Sequence, residues 1–224
     1  MLRALNKEDL LFFSSEEKSW KWQYSAIKAE KFSDNIVDLM VRKLKALPID
    51  SQIFITLAAS FGSQFELFII RVILNRPEAE VQKQLRLLLE EKLLIPFDGY
   101  YKFAHDRIQQ ASYLLTPEEK KGEKHCQIGN ALLNNLSKDE VEIYLFDIVN
   151  QLNAANALLE NIALSRIELA NLNLRAGRKA KNKAAFGSAE NFFKAGMDLL
   201  IEGDWENHFE LTSALFPKPQ KRNI

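Results

Sequence analysis

Residues 93–103 constrain this chain more than any other stretch. Leu93 to Phe97 and Tyr100 to Phe103 are apolar and aromatic runs separated by Asp98-Gly99, a pair that supplies the two positive φ angles a two-residue hairpin turn requires. The spacing predicts a β-hairpin. Pro96 has no N–H to donate, so it must lie on an edge or face solvent. A ribbon of two strands is marginal in water, and what surrounds this one is helical. Gly and Pro number only 8 and 6 in 224 residues, against a usual share of ~12%, while 47% of residues are hydrophobic.

Ahead of the hairpin, Ile36, Val37, Met40, Leu44 and Leu47 recur at helical spacing from an N-cap at Ser33 to the stop at Pro48. Phe54, Leu57, Ala58 and Phe61 carry a second helix to Gly62, and Phe65 to Leu74 a third. Pro77 is placed as the first residue of a fourth, whose apolar face is Val81, Leu85, Leu88 and Leu89. Several helices followed by a hairpin spell a winged helix over 33–117, with 93–103 as its wing. His105 to Leu115 forms the next helix, burying Ile108, Ala111, Tyr113 and Leu115. Helices are then expected over roughly 118–136, 139–154, 158–182, 186–201 and 205–215, packed as antiparallel hairpins.

Within 118–216, Ala176-Gly177, Ala180, Ala189, Phe193 and Gly196 fall at the offsets where a tetratricopeptide repeat needs small or aromatic residues. Small residues let two helices approach, and Phe193 fills the space beside them. The match is partial: Asn173 stands at the usual Trp position, Ala176 at the Leu and Ile201 at the closing Pro. Trp205 is read as opening a second repeat. The fold class is therefore mainly α, a winged helix followed by tetratricopeptide-like hairpins. Before them, Leu10 to Phe13 and Trp20 to Trp22 read as two short strands in a trailing segment, 1–32, of something larger. Trp20 and Trp22 are anchors for that neighbour or an exposed patch. The tail 217–224, with three cations and no anions, is expected to be disordered.

Lys plus Arg and Asp plus Glu are 30 each, so no global field draws the chain to nucleic acid or an anionic membrane. Its most apolar run, Ile53 to Phe61, is about half of the ~18 residues that span a bilayer. One cysteine, Cys126, and no signal-like N-terminus point to a reducing, cytoplasmic setting. Cys126 is read as a small buried hydrophobe. No G-x-x-x-x-G-K-[ST] loop is present. His105-Asp106-Arg107 has the letters of a kinase catalytic loop in the wrong order, with no Gly-rich loop or D-F-G beside it. The three histidines, His105, His125 and His208, lack ligand spacing for zinc; His125 and His208 are read as structural or solvated. In the fourth helix Glu78, Glu80, Glu90 and Glu91 face Lys83, Arg86 and Lys92, a balance that disfavours DNA. Arg175, Arg178, Lys179, Lys181 and Lys183 form a basic cluster, read as a wet helix face or a partner surface.

A set of local sequences resembles a known family: Asn35 to Met40 with Lys43-Leu44, Leu57-Ala58-Ala59 with Gly62 and Phe65, Tyr101 to Ala111, Phe146 to Asn153, and Leu174 to Lys181. From about residue 10 to 216 the chain is similar to large bacterial multi-sensor signal transduction serine/threonine/histidine kinases with a STAND-type AAA ATPase. The resemblance implies the region at the end of the ATPase lid (1–32), the winged helix and the start of a tetratricopeptide-like solenoid, with kinase, ATPase and sensor domains outside it. The sequence from Phe216-Pro217 onward departs from the family, where further helical repeats follow. Such a chain is a fragment with no catalytic site and no cofactor of its own; ATP or ADP belongs to the parent.

In STAND ATPases a Met-His-Asp histidine contacts the ADP phosphates, and His105-Asp106 resembles that pair, with Ala104 for the Met. The position, in the first turn after the wing, is one where free N–H groups favour an anion. The other reading is that His105 packs on the wing and Asp106 caps the helix. The implied partners are an adjoining ATPase domain and a protein bound by the helical repeats, with no nucleic acid and no membrane. A stand-alone winged-helix transcription regulator is the alternative.

Overall fold

The computed structural model describes residues 11–14, 18–22, 32–155 and 164–216. The described chain is mainly helical with two small antiparallel sheets. It divides into two compact units, Met1–Arg71 with Arg76–Glu118, and Val72–Asn75 with Glu119–Ile224. The tail 217–224, and the expected helical residues 158–163, lie outside the described residues.

In the first unit, β1 (Leu11–Ser14) and β2 (Ser19–Trp22) pair antiparallel, as their alternating large residues predict. Phe13 and Trp20 meet edge to face at 5.6 Å and are both half exposed. Helix α1 runs Phe32–Lys45, so Ser33 falls inside it rather than before it. Helix α2 (Ile49–Ala59) buries Phe54, Ile55, Leu57 and Ala58. The chain turns at Gly62, whose φ of 101° is the left-handed region that favours glycine.

The expected helix from Phe65 is corrected here. Gln64–Phe65 is a short strand, β3, and helix α3 covers only Leu67–Leu74. Phe65 leaves the helix because its ring is enclosed by Phe54, Tyr101 and Phe103, at 6.0, 6.1 and 6.4 Å. Helix α4 (Glu78–Glu90) takes Pro77 as its N-cap, so the helix starts one residue later than expected. The hairpin forms as predicted: β4 (Leu94–Phe97) pairs with β5 (Tyr100–Phe103), and the turn residues Asp98 and Gly99 have φ of 47° and 80°. Strand order β3-β5-β4 leaves β4 on the edge, where Pro96 costs no ladder bond. Helix α5 (Asp106–Leu114) follows and buries Ile108, Ala111 and Ser112. Tyr113 and Leu115 are only partly covered.

The second unit begins with α6 (Glu118–Asn135). The helix expected over 139–154 is two: α7 (Lys138–Ile143) and α8 (Leu145–Ala154), broken at Tyr144. Helix α9 (Arg166–Asn182) starts later than expected because Ser165 and Glu168 form a capping box, each side chain bonding the other residue's backbone N–H. The same device, Ser137 with Glu140, opens α7. Helix α10 (Phe186–Asp198) packs along α9. The last expected helix is also divided, into α11 (Asp204–Asn207) and α12 (Phe209–Leu215), at His208.

Close approach organises this unit. A Cβ built on Gly177 would overlap the Phe193 ring, one on Gly129 would overlap Leu152, and one on Gly196 would meet Leu215 at 2.8 Å. A side-chain amide pair adds specificity: the buried Asn173 on α9 and the half-buried Asn153 on α8 each donate to the other at 2.9 Å, and Asn173 also donates to the Leu169 carbonyl. Asp204 is buried and receives Arg166 in a two-pronged pair at 2.5 and 3.1 Å, plus the Ile201 N–H at 2.8 Å. Those bonds from the Arg166 guanidinium, then from the Ile201 N–H, hold its carboxyl at about 2, below the usual 3.8.

Two expectations follow. Gly177→Ala should destabilise the chain by about 1–3 kcal/mol, because the Phe193 ring must move. Gly187→Ala, in the first turn of α10 with nothing within 4 Å of the added carbon, should be neutral or stabilise by about 0.5–1 kcal/mol; urea denaturation separates them. Asp204 is depressed in the folded state, so its contribution is present above pH ~4 and lost as pH falls toward 2. Thermal melts of Asp204→Asn should show lower stability at pH 7 and a shallower decline between pH 4 and 2. The decline should persist in part, because Ser137 and Ser165 hold Glu140 and Glu168 low as well.

Candidate functional site

The three histidines occupy three different environments. His105 precedes α5 with extended backbone, φ −158° and ψ 146°, and its Nδ1 accepts the Arg107 N–H at 3.1 Å. His105 is thus the N-cap, and Asp106 is the first helical residue; the reading in which Asp106 caps the helix is corrected. Imidazole does this because a neutral ring carries one acceptor nitrogen. With Nδ1 accepting, the ring proton is assigned to Nε2. Both His105 and Asp106 are exposed, so neither is packed away against the hairpin. The Arg107 guanidinium turns along α5 to Gln110 at 2.8 Å.

His125 is structural. It is buried on α6 with Nδ1 2.6 Å from the Gln151 amide oxygen on α8. Its neighbour Cys126 is buried too, and that burial pushes the thiol pKa up, which opposes thiolate chemistry. Burial also lowers the Lys124 ammonium to about 8. His208 is exposed at the break between α11 and α12. Among the described residues, no group of three or more His, Cys, Asp or Glu could hold a metal ion. No described helix is long and apolar enough to cross a membrane.

The basic cluster on α9 is more engaged than its composition suggests. Arg175 pairs with Glu142. The Lys179 ammonium donates to the carbonyls of Glu142 and Ile143 at the end of α7, where orphan acceptors and the helix dipole favour a cation. Lys179 and Lys183 also lie 5.3 and 5.8 Å from the Phe146 ring centre, and Phe146 stacks on Phe192 at 5.5 Å with 13° between planes. No local sequence pattern marks these contacts, since they join residues about 30 to 45 positions apart.

Two grooves flank α9. One, of about 600 Å³ between α9 and the α11–α12 segment, carries Arg175 and Arg178 but also Glu206 and Glu210. The other, of about 380 Å³ between α8, α9 and α10, is lined among the described residues by Asn150, Asn153, Lys183, Ser188, Asn191 and the Phe146–Phe192 stack.

Compared with known proteins, the chain is similar to the hybrid signal transduction histidine kinase G of Dictyostelium discoideum, 25% identical over 272 aligned positions. That alignment takes in 94% of this chain and 8% of the relative, so the chain spans a small fraction of the protein it matches. No family model matches, and no solved structure matches.

Proposed function

We propose that this chain is a non-catalytic coupling segment of a multidomain, cytoplasmic signal-transduction kinase. In this reading residues 33–117 are a winged helix that docks on a STAND-type ATPase domain, 1–32 end that domain's lid, and 118–216 are a tetratricopeptide-like arm that binds a protein. Several features support it. The match to a signalling histidine kinase covers almost all of this chain and little of the relative. The order helix, helix, strand, helix, helix, hairpin, with β3 joined to the hairpin, is compatible with a winged helix. The Gly177–Phe193 contact between α9 and α10 is of the kind a tetratricopeptide hairpin needs.

The observation that carries the reading is the orientation of His105. Its Nδ1 is held by the Arg107 N–H, so the Nε2–H of an exposed ring is the atom left for a phosphate oxygen of ADP held by the neighbouring domain. The α5 N-terminus adds its dipole to that anion. Docking in the ADP state and release on exchange would make a rigid-body switch. DNA reading by α4 is disfavoured, because its exposed face mixes Glu78 and Glu90 with Lys83 and Arg86.

The test is His105→Ala against His105→Asn in a protein that joins this segment to its ATPase domain. Asparagine keeps a capping acceptor. Loss of one hydrogen bond to a charged phosphate should weaken ADP retention by roughly 10-fold or more in both variants, with thermal stability falling only in the alanine variant. Unchanged ADP affinity in both would refute the assignment.

A further inference from the structure

The balanced total charge of the chain conceals a segregation within its second unit. Helix α9 carries Arg175, Arg178, Lys179 and Lys181 in its C-terminal half, with Lys183 as its C-cap. At the opposite end of the unit, where Arg166 reaches the Leu199 carbonyl, Glu168, Asp198, Glu202 and Glu206 are exposed, and Arg166 is paired with Asp204. The 17 residues of α9 hold the two ends about 25 Å apart, at ~1.5 Å per residue. Charge is thus separated along α9, and an anionic plane would orient the unit with its Lys183 end facing that plane.

Contacts fix what gathers at the basic end. Lys179 donates to the carbonyls of Glu142 and Ile143 at the close of α7. Lys183 lies over the Phe146 ring at the start of α8, and α10 begins at Phe186. Phe186 is 66% exposed and Ile143 65%, so two large apolar residues share this end with the exposed Lys181 and Lys183. Glu142 is paired with Arg175, and Glu190 stands one turn further along α10. Lys179 is held below its usual pKa first by burial, then by the like charges of Lys183 and Arg175, with Asp147 opposing them. An arriving anion would relieve that crowding.

Apolar exposure alone does not single out this end, since Ile201 and Trp205 are exposed at the acidic one. The charge decides between them. A lipid surface sets anionic headgroups beside an acyl boundary, so a single plane meets both the lysines and the apolar side chains. A nucleic acid would supply the anions and leave Ile143 and Phe186 in water.

We propose that this end of the second unit rests on the surface of an anionic lipid bilayer, with Lys181 and Lys183 among the headgroups and Phe186 and Ile143 at the acyl boundary. The contact is peripheral, without a spanning helix. It goes beyond the coupling reading, and neither depends on the other.

The experiment is co-sedimentation of the full 224-residue chain with vesicles of phosphatidylcholine alone or with about a third phosphatidylserine, beside fluorescence anisotropy with a labelled double-stranded DNA oligonucleotide. The chain should partition onto the anionic vesicles, and less so as salt is raised. Lys181→Glu with Lys183→Glu should weaken that partition by roughly 10-fold or more, and Phe186→Ser by roughly 5-fold. Circular dichroism melts should match the parent chain, because all three side chains are exposed. No binding to anionic vesicles, equal binding to both vesicle types, binding indifferent to both variants, or capture of the oligonucleotide without vesicle binding overturns the proposal. No nucleotide enters the assay, so such a failure leaves the His105 reading to its own test.

Discussion

The two-residue pairing of β3 with β5 is the constraint on which the first unit turns. Gln64 and Phe65 sit opposite Lys102 and Tyr101, and the Phe103 N–H reaches the Ser63 carbonyl at 3.2 Å. This pairing adds a third strand to the hairpin. With it, the ribbon is bonded to the segment between α2 and α3, and Phe65 carries the attachment into the core beside Phe54. The end of β5 is thereby fixed, and so is the N-cap of α5 two residues later, where His105 stands. The Ala104 N–H bond to the Leu93 carbonyl at 3.0 Å closes the same junction from the other side.

The second unit is held by a different principle. Its helices approach at glycines and are registered by polar pairs, the buried His125 with Gln151 and the part-buried Asn153 with Asn173. Such pairs are costly to break, because each partner left alone would be an unsatisfied buried group. Their effect is to select one alignment of α6, α8 and α9. The groove walls inherit that alignment, since Asn150 and Asn153 lie on one turn of α8.

The hairpin was legible because Asp-Gly has few other uses between two aromatic runs, and the Gly177–Phe193 approach because small residues and a ring recur at fixed offsets. Strand β3 was not legible: two residues show no period, and Phe65 reads equally well as the first apolar position of a helix. The breaks at Tyr144 and His208 carry no Gly or Pro to announce them. The starts of α7 and α9 did carry a readable signal, the Ser-x-x-Glu pattern at Ser137 and Ser165, which apolar periodicity alone passes over. His105 as a cap was hidden because Asp106, the commoner capping residue, stands beside it. Nothing local marks Asn173 as buried or Lys179 as spent on α7, since both depend on segments distant in sequence.

The proposed account makes nucleotide state a property of a neighbour and leaves this chain to sense and relay it through an oriented imidazole. The most direct measurement is titration of the purified chain into an ATPase domain of the multi-sensor kinases it resembles, loaded with ADP or with a non-hydrolysable ATP analogue. The account predicts measurably tighter association with the ADP form. Equal affinity for both forms, or no association with either, would contradict it.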